Sequence, residues 1–281
     1  MKDKVSPIIQ VSELFELVNK LEPVIVFAGY GKEAEEFYKE KHLKDALFIE
    51  LNSQLSAIDN PSKGGRHPLP SIEQFGITLS KLGISNDSHV IIYDDKNGSN
   101  SAARFWWMLK SVGHNKAQVI NGGLQEAEKR GYPINSDKVF PKLGHYEASN
   151  WKLPIASIDE VEKASKNNTH LIIDVRAKDR YDGIIEPIDL IAGHIPGAVN
   201  TPLTENLGEN GLFKSPKNLK EKYTTLFNNR ESKNIIVHCG SGVTACHTLL
   251  AIAYAGMEIP KLYVGSWSEW SRNKKSIATN K

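Results

Sequence analysis

The chain has 281 residues, of which 40% are hydrophobic and 24% charged, so the composition is that of a globular protein with one large or two mid-sized domains. Lysine and arginine number 35 against 33 aspartate and glutamate residues, without a basic run, which argues against nucleic-acid binding. The longest uncharged stretch, residues 234–257, carries two histidines and three glycines, so no membrane span is expected.

The first 18 residues contain acidic side chains and lack the apolar core of a secretory signal peptide. Only two cysteines occur, Cys239 and Cys246, which is too few for a disulfide framework. The sequence therefore predicts a cytoplasmic protein in which both thiols stay free.

The two halves of the chain repeat the same succession of segments. The N-terminal half has an apolar strand at 23–30, a segment at 42–52, a strand, loop and helix at 89–113 and a further segment at 117–123. The C-terminal half has its counterparts at 170–176, 192–203, 234–257 and 261–267, with a further helix near 219–227. Strands that alternate with helices predict parallel α/β domains, at 5–138 and 152–278, joined by the polar segment 135–150.

The chemically informative segment follows the strand Ile235–Val237, which ends at His238 and Cys239. Two glycines occur among the next three residues, and a helix is predicted to begin near Val243. The carboxyl end of a parallel strand is where sites form, and a glycine-rich loop before a helix directs several N–H donors into one concavity. Such a loop favours a cysteine thiolate and suits a persulfide or a phosphocysteine.

Each cysteine also has a purely structural interpretation, as a small buried hydrophobe. We favour that interpretation for Cys246, which lies on the apolar face of the predicted helix, and a nucleophilic role for Cys239. A cysteine phosphatase would need an arginine six positions after the nucleophile to bind phosphate. That position is Ala245, and residues 234–257 contain no arginine, so sulfur transfer is the better hypothesis.

Several motifs in the expected order carry a resemblance to a known family. They are AARFWWML at 102–109, DVRAKDRYDG at 174–183, GHIPGAVN at 193–200, CGSGVTA at 239–245 and GSWSEW at 265–270. Over nearly its whole length the chain resembles the tandem-domain rhodanese and 3-mercaptopyruvate sulfurtransferase family. The resemblance implies two tandem rhodanese-like domains, each a parallel sheet flanked by helices. Aligned strand ends place Asp94 opposite Cys239, so the first domain is expected to be structural and the second catalytic.

In this family a cysteine takes sulfur from a donor as a persulfide and passes it to cyanide or a thiol, thioredoxin included. The resemblance therefore assigns Cys239 as the nucleophile. It assigns substrate binding to the following residues: Gly240, Ser241, Gly242, Val243, Thr244, Arg180 and His67. The backbone N–H groups of the loop would hold the outer sulfur, and Arg180 would hold the acid group of the donor.

Weaker expectations accompany these assignments. His67, in GGRHPLP (64–70), would assist with protons together with Ser241 and Asp59, unless this is only a polar surface loop. Arg180 has the alternative of an ion pair between domains or at the surface. Asp174 and Arg176 are interpreted as a structural ion pair.

The donor is left open by two departures from the family pattern. Mercaptopyruvate enzymes typically carry a second donor-binding arginine between RYxG and GHIPG, where this chain has Ile188. Thiosulfate enzymes usually carry arginine and lysine after the cysteine, where this chain has Gly240 and Ser241. We expect 3-mercaptopyruvate to be slightly favoured, with a thiosulfate:cyanide sulfurtransferase or a non-enzymatic persulfide carrier as alternatives. No cofactor or metal is expected, nor a nucleic-acid or membrane partner, and a monomer is the default.

Overall fold

The computed structural model describes residues 5–167 and 170–280, which divide into two compact α/β units. The first unit comprises the chain up to Ala57 and Pro70–Lys152. The second comprises Ile58–Leu69 and the chain from Leu153 onward. The segment 58–69 therefore packs within the second unit, although both of its flanks belong to the first.

The first unit is built on a parallel sheet with helices on its faces. In its described residues the strands are β1 (Ile8–Ile9), β2 (Val24–Gly29), β3 (His42–Leu43), β4 (Leu47–Glu50), β5 (Val90–Tyr93), β6 (Ala117–Ile120) and β7 (Ile134–Asn135). The helices are α1 (Val11–Val18), α2 (Gly31–Glu40), α3 (Leu51–Gln54), α4 (Ile72–Lys81), α5 (Ser101–Ser111) and α6 (Gly123–Lys129). The main sheet has the order β1-β6-β5-β2-β4 with every pair parallel, and β3 pairs with β7 antiparallel.

Burial on both faces explains the sequence pattern of the central strands of this sheet. The strand β5 is the apolar run VIIY, and all four of its side chains are buried. The helix α5 is buried over ten of its eleven residues, including Trp106 and Trp107. Apolar strands without polar alternation are what a parallel sheet covered on both sides requires.

The second unit has the same construction with fewer strands. In its described residues the strands are β8 (Leu171–Asp174), β9 (Val199–Asn200), β10 (Ile235–His238) and β11 (Lys261–Leu262). The helices are α7 (Ile158–Ser165), α8 (Lys178–Asp182), α9 (Pro216–Phe227), α10 (Ala245–Tyr254) and α11 (Ser266–Trp270), with 3₁₀ turns at Leu203–Asn206 and Ser232–Asn234. The sheet order is β11-β10-β8-β9, all parallel.

The two sheets share one topology. The order β6-β5-β2-β4 in the first unit corresponds strand for strand to β11-β10-β8-β9 in the second. These are the pairs that the sequence repeat predicts, so the predicted duplication and the α/β fold class with parallel sheets are confirmed. The first residue after β5 is Asp94, and the first residue after β10 is Cys239. Of the described residues, no helix is long and apolar enough to cross a membrane.

The Asp94 carboxylate occupies the loop that corresponds to the cysteine loop. It is 1% exposed, and its Oδ1 accepts hydrogen bonds from the backbone N–H groups of Lys96 (2.9 Å) and Gly98 (2.7 Å). Its Oδ2 accepts from Asn100 (3.0 Å) and Ala102 (3.2 Å). The donors of this loop are thus satisfied by a side chain of the same loop, which stabilises the first unit.

Replacing Asp94 by asparagine tests this stabilisation. The amide group of Asn presents N–H where two backbone N–H groups need an acceptor, so two buried donors lose their partner. We expect Asp94→Asn to lower the free energy of unfolding by about 2 kcal/mol or more in urea denaturation. The control is Asp95→Asn, which removes only an exposed pair with Lys96 at 3.0 Å and is expected to cost about 0.5 kcal/mol at most. Equal losses in the two variants would contradict the assignment.

Candidate active site

Cys239 is the first residue after β10 and is 1% exposed. Its backbone N–H donates to Ser266 Oγ at 3.2 Å, and its carbonyl accepts from the N–H of Trp267 at 3.0 Å. The carbonyl of Gly240 accepts from the N–H of Ser268 at 2.8 Å. The start of α11 therefore fixes the backbone of the cysteine and of the residue after it.

The loop turns sharply at Gly242. This residue has φ +73°, and a Cβ on it would lie 3.0 Å from Val264 Cα and closer still to the carbonyl oxygen of Val264. Both the left-handed conformation and the close approach of the neighbouring backbone require glycine. The path of the loop is thus set by contact with Val264, the second residue after β11.

Four backbone N–H groups of this loop have no hydrogen-bond acceptor within the described part of the chain. They belong to Gly240, Ser241, Val243 and Thr244. The first three residues are buried, and a buried N–H without a partner costs about 1–3 kcal/mol, so the loop is prepared for an anionic acceptor. The helix α10 begins at Ala245, two residues later than the sequence predicts, and residues up to Thr244 form the loop.

Two guanidinium groups lie against Gly240. A Cβ on Gly240 would be 3.3 Å from Arg66 Nη2 and 3.6 Å from both terminal nitrogens of Arg180. Arg180 comes from α8, whereas Arg66 comes from the segment 58–69. The residue that follows the cysteine is therefore faced by two positive charges.

Two buried carboxylates hold these guanidinium groups. Asp189 accepts from Arg66, from Arg180 at 3.4 Å and from Arg272 at 3.0 Å. Glu186 accepts from Arg180 at 2.6 Å. The side chain of Asp189 is 0% exposed and that of Glu186 is 3% exposed, so the ion pairs are shielded from solvent. The alternative interpretation of Arg180 from the sequence is an ion pair between domains or at the surface. The structure shows instead a shielded ion pair within the second unit, made by a guanidinium that also faces the loop.

A second ionic group lies at the end of β8 and β10. Asp174 and Arg176 pair at 2.7 Å in full burial, as the sequence predicts, and Arg176 stacks over Trp267 at 4.6 Å. His238 Nε2 is 3.7 Å from Asp174 Oδ2. Burial lowers the pKa of His238. Burial acts to raise the pKa of Asp174, but the neighbouring His238 and Arg176 outweigh it and hold that pKa below its usual value.

The segment 58–69 brings His67 to the loop. His67 is 7% exposed, and its Nδ1 lies 2.8 Å from Ser241 Oγ. Asp59, which belongs to the same segment, is exposed. The structure therefore joins His67 to Ser241.

Backbone contacts anchor this segment on α11. The N–H of Gly64 donates to Glu269 at 2.8 Å, and the N–H of Arg66 donates to Ser268 Oγ at 3.1 Å. A Cβ on Gly65 would lie 2.9 Å from Gly265 Cα. The two stretches of chain are in close backbone contact, which fixes where the side chains of residues 66 and 67 emerge.

Cys246 lies in the first turn of α10 and is fully buried. Its Sγ donates to the carbonyl of Gly242 at 3.3 Å. This environment agrees with the interpretation of Cys246 as a core residue.

Three residues near the loop are absent from the sequence-based predictions: Arg66, Glu186 and Asp189. Arg66 precedes the predicted site residue His67, but no pattern in the sequence indicates a role for the arginine itself. The two acids lie in the stretch where the family pattern suggested a missing arginine. Their role as counter-ions becomes visible only when Arg66, Arg180 and Arg272 converge in space.

Comparison with known protein families identifies the fold. The family model for the rhodanese-like domain matches this sequence twice, at residues 10–130 and 157–273. The chain belongs to the rhodanese-like family.

Relatives that match this chain over most of its length are named as sulfurtransferases. A probable 3-mercaptopyruvate sulfurtransferase from Pseudomonas aeruginosa is 35% identical over 244 residues, which cover 86% of this chain and 86% of that protein. A thiosulfate sulfurtransferase from Rattus norvegicus is 35% identical over 248 residues, which cover 86% of this chain and 81% of that protein. The solved structure of a 3-mercaptopyruvate sulfurtransferase from Leishmania major has a TM-score of 0.82 at 29% identity, and the match covers 95% of this chain and 74% of that one.

The predictions of the tandem rhodanese family and of a sulfurtransferase enzyme are therefore confirmed. A small-molecule sulfur donor and a sulfur acceptor follow from that activity. The relatives include enzymes named for each donor at equal identity, so they do not distinguish 3-mercaptopyruvate from thiosulfate.

Two glycines allow a matched test of the loop geometry. Gly242 and Gly256 have nearly the same φ, +73° and +74°, but only Gly242 has backbone where a Cβ would go, whereas Gly256 has open space. We expect Gly242→Ala to reduce sulfurtransferase turnover by at least about 10-fold because the loop has to move.

The control Gly256→Ala carries the same conformational strain, about 1 kcal/mol, without a clash, and its turnover should stay within about twofold of wild type. Steady-state rates under one donor and one acceptor decide the comparison. Equal rates for the two variants would show that the contact with Val264 does not shape the site.

Proposed function

We propose that Cys239 is the sulfur carrier of this enzyme and that residues 240–244 hold the transferred sulfur. The observation that carries the proposal is that the N–H groups of Gly240, Ser241, Val243 and Thr244 have no acceptor among the described residues. A persulfide on Cys239 extends the side chain by one anionic sulfur, which is the acceptor that such donors need. In the first unit the corresponding N–H groups donate hydrogen bonds to the carboxylate of Asp94, which cannot form a persulfide.

The first half-reaction follows from the donor chemistry. The Cys239 thiolate attacks the sulfur of 3-mercaptopyruvate, the C–S bond breaks, and the electron pair leaves on pyruvate as its enolate, which then takes up a proton. With thiosulfate the S–S bond breaks instead and sulfite leaves without any proton transfer. In the second half-reaction the outer sulfur passes to cyanide, giving thiocyanate, or to a thiol, giving a new persulfide, and the Cys239 thiolate is restored.

Protonation of the enolate favours 3-mercaptopyruvate slightly over thiosulfate as the donor. His67 and Ser241 are in hydrogen-bond contact beside Cys239, so they can deliver one proton at the loop. The reaction with thiosulfate requires no proton transfer, so it would not need His67 and Ser241 as proton donors. The alternative donor, thiosulfate, is supported by the positive charges at Gly240, which suit any anion.

Arg180 is the proposed binding group for the acid function of the donor. Its Nε and Nη2 are engaged by Glu186 and Asp189, whereas Nη1 donates no hydrogen bond in the described part of the chain. That free nitrogen is one of the two that approach Gly240. A guanidinium held on one side and free on the other is positioned to bind a carboxylate or sulfonate.

Several finer assignments belong to the same proposal. We keep a low-molecular-weight thiol, cyanide or thioredoxin as acceptor, a cytoplasmic location and a monomer as the working assignments. The feature that supports the location is the presence of two free cysteines.

The two cysteines give the first test of the mechanism. We expect Cys239→Ser to abolish thiocyanate formation from either donor and Cys246→Ser to keep more than about half of it, because Cys246 is buried in α10 and its Sγ donates to the carbonyl of Gly242. Intact-mass analysis after donor treatment should show one added sulfur atom in wild type and in Cys246→Ser, but none in Cys239→Ser. The reverse pattern would make Cys246 the carrier. Loading of Cys239 without repeated turnover would favour the alternative of a non-enzymatic persulfide carrier.

Arg180 is tested by the kinetics of the donor. Removal of a charge-assisted hydrogen bond costs about 1.5–3 kcal/mol, so Arg180→Ala should raise KM for 3-mercaptopyruvate by at least about 10-fold. The control is Lys178→Ala on the same helix, whose side chain is 70% exposed and pairs with Asp182. We expect its KM to stay within about twofold. A donor KM unchanged by Arg180→Ala would exclude Arg180 from the site.

A further inference from the structure

The first unit has a cleft of about 320 Å³ at the carboxyl end of its own sheet. The lining residues come from the end of β2, from α2 and from the chain between β5 and α5. In a parallel α/β sheet, the crevice outside the carboxyl ends of the strands is where ligands bind. Because the two sheets share one topology, this cleft corresponds in position to the loop after Cys239 in the second unit.

Ser101, the first residue of α5, lines this cleft and carries two buried polar groups without a partner among the described residues. The residue is 1% exposed, and its Oγ makes no hydrogen bond to any residue that the structure describes. Its backbone N–H has no acceptor in the same ranges, although Asn100 and Ala102 on either side of it both donate to Asp94. Buried polar groups almost always have a hydrogen-bond partner, so a bound molecule is the expected partner here.

A role in the helix itself does not explain the hydroxyl group of Ser101. Serine at the beginning of a helix usually accepts a hydrogen bond from a backbone N–H of the first turn. Ser101 accepts none from the described residues, and the carboxylate of Asp94 binds the N–H groups at this point instead. The hydroxyl group therefore costs stability in the unliganded chain without contributing to the fold.

The charged groups that line this cleft are mainly acidic. Glu33 on α2 is exposed and has no ion-pair partner in the described part of the chain. Asp95 is paired with Lys96 at 3.0 Å, and the carboxylate of Asp94 already accepts four backbone hydrogen bonds. Glu33 is thus the carboxylate left for a ligand, and the cleft attracts cations rather than anions.

The other lining residues indicate the kind of cation. Tyr30 and Phe37 line the same cleft, and the faces of aromatic rings attract ammonium groups. A metal ion such as Ca²⁺ would need about six to eight oxygen ligands. The described residues include no cluster of three or more His, Cys, Asp or Glu side chains that could hold a metal ion. An organic ammonium group is therefore the cation that this lining fits.

We propose that the cleft of the first unit binds a small protonated amine that carries a hydroxyl group. Glu33 pairs with the ammonium group, and Ser101 binds the hydroxyl group. The ligand oxygen accepts from the backbone N–H of Ser101, and the ligand hydroxyl donates to Ser101 Oγ. The proposal is independent of the sulfur chemistry at Cys239, and it makes the first unit a binding domain for a second small molecule.

Four five-carbon compounds of matched length test the two contacts separately. 5-Amino-1-pentanol has both groups, 1-aminopentane lacks the hydroxyl group, 1,5-pentanediol lacks the charge, and 5-hydroxypentanoate reverses it. We expect 5-amino-1-pentanol to bind the full chain at least about 10-fold more tightly than the diol and about threefold more tightly than 1-aminopentane, measured from NMR shifts of the backbone amides of residues 94–102. Equal affinity for 5-hydroxypentanoate, or no binding of 5-amino-1-pentanol, would overturn the proposal.

The ammonium contact is tested by Glu33→Gln. This variant should raise the Kd for 5-amino-1-pentanol by at least about 10-fold, because it removes the unpaired charge of the cleft. The matched control is Glu36→Gln, an exposed position on the same helix that does not line the cleft, and its Kd should stay within about twofold of wild type. Equal effects of the two substitutions would overturn the assignment of Glu33.

Ser101→Ala tests the hydroxyl contact with a measurement that separates ligand binding from folding. It should weaken binding of 5-amino-1-pentanol at least about threefold and leave that of 1-aminopentane within about twofold. Because Ser101 Oγ has no partner among the described residues, the urea midpoint of the unliganded variant should be equal to or higher than that of wild type. A lower midpoint, or an equal loss of affinity for both amines, would show that the hydroxyl group serves the fold and would overturn the proposal.

Discussion

The site depends on main-chain contacts made by the segment that follows β11. Ser266 in that segment accepts a hydrogen bond from the N–H of Cys239, and the N–H groups of Trp267 and Ser268 donate to the carbonyl groups of Cys239 and Gly240. The backbone of Val264 leaves no room for a side chain at Gly242. Through Ser268 and Glu269 the same segment also holds residues 58–69. Because these bonds join backbone to a single short helix, one element places Cys239, the proposed nucleophile, together with His67 and the free nitrogen of Arg66. Such placement by rigid backbone avoids the entropic cost of ordering each group separately when substrate binds.

Charge balance is the second constraint on the site. Guanidinium groups that faced the loop with no counter-ion would repel one another and would be costly to bury. Asp189 and Glu186 relieve that repulsion, yet each leaves a terminal nitrogen of Arg66 or Arg180 unused. The carboxylates therefore do more than neutralise: they turn the free nitrogens toward a common point. Deep burial of Asp189 and Glu186 keeps this arrangement strong, since water screens it little.

Much of this architecture follows from sequence alone. The apolar runs that repeat in the two halves predict parallel sheets, because strands buried on both faces are apolar throughout. The glycines after Cys239 predict a loop at a strand end, because a positive φ favours glycine. The sequence also predicts the pairing of Arg176 with Asp174, because both residues lie at the end of one strand. No pattern in the sequence indicates the roles of Arg66 and Asp189. Their significance is a matter of distance between segments, and an arginine in a polar loop looks the same whether it faces solvent or a cysteine. The sequence also predicts the start of α10 too early, because residue types do not show that the N–H groups of Gly240, Ser241, Val243 and Thr244 have no acceptor in the described part of the chain.

The two halves of the chain differ in their availability to anions in solution. In the first unit the carboxylate of Asp94, which is part of the chain itself, accepts the hydrogen bonds of the loop N–H groups. Of these two corresponding loops, the one after Cys239 has N–H groups without an acceptor in the described part of the chain. We therefore expect an anion from the medium, such as sulfate, phosphate or sulfite, to compete with the donor at the loop after Cys239 and not at the loop that Asp94 occupies.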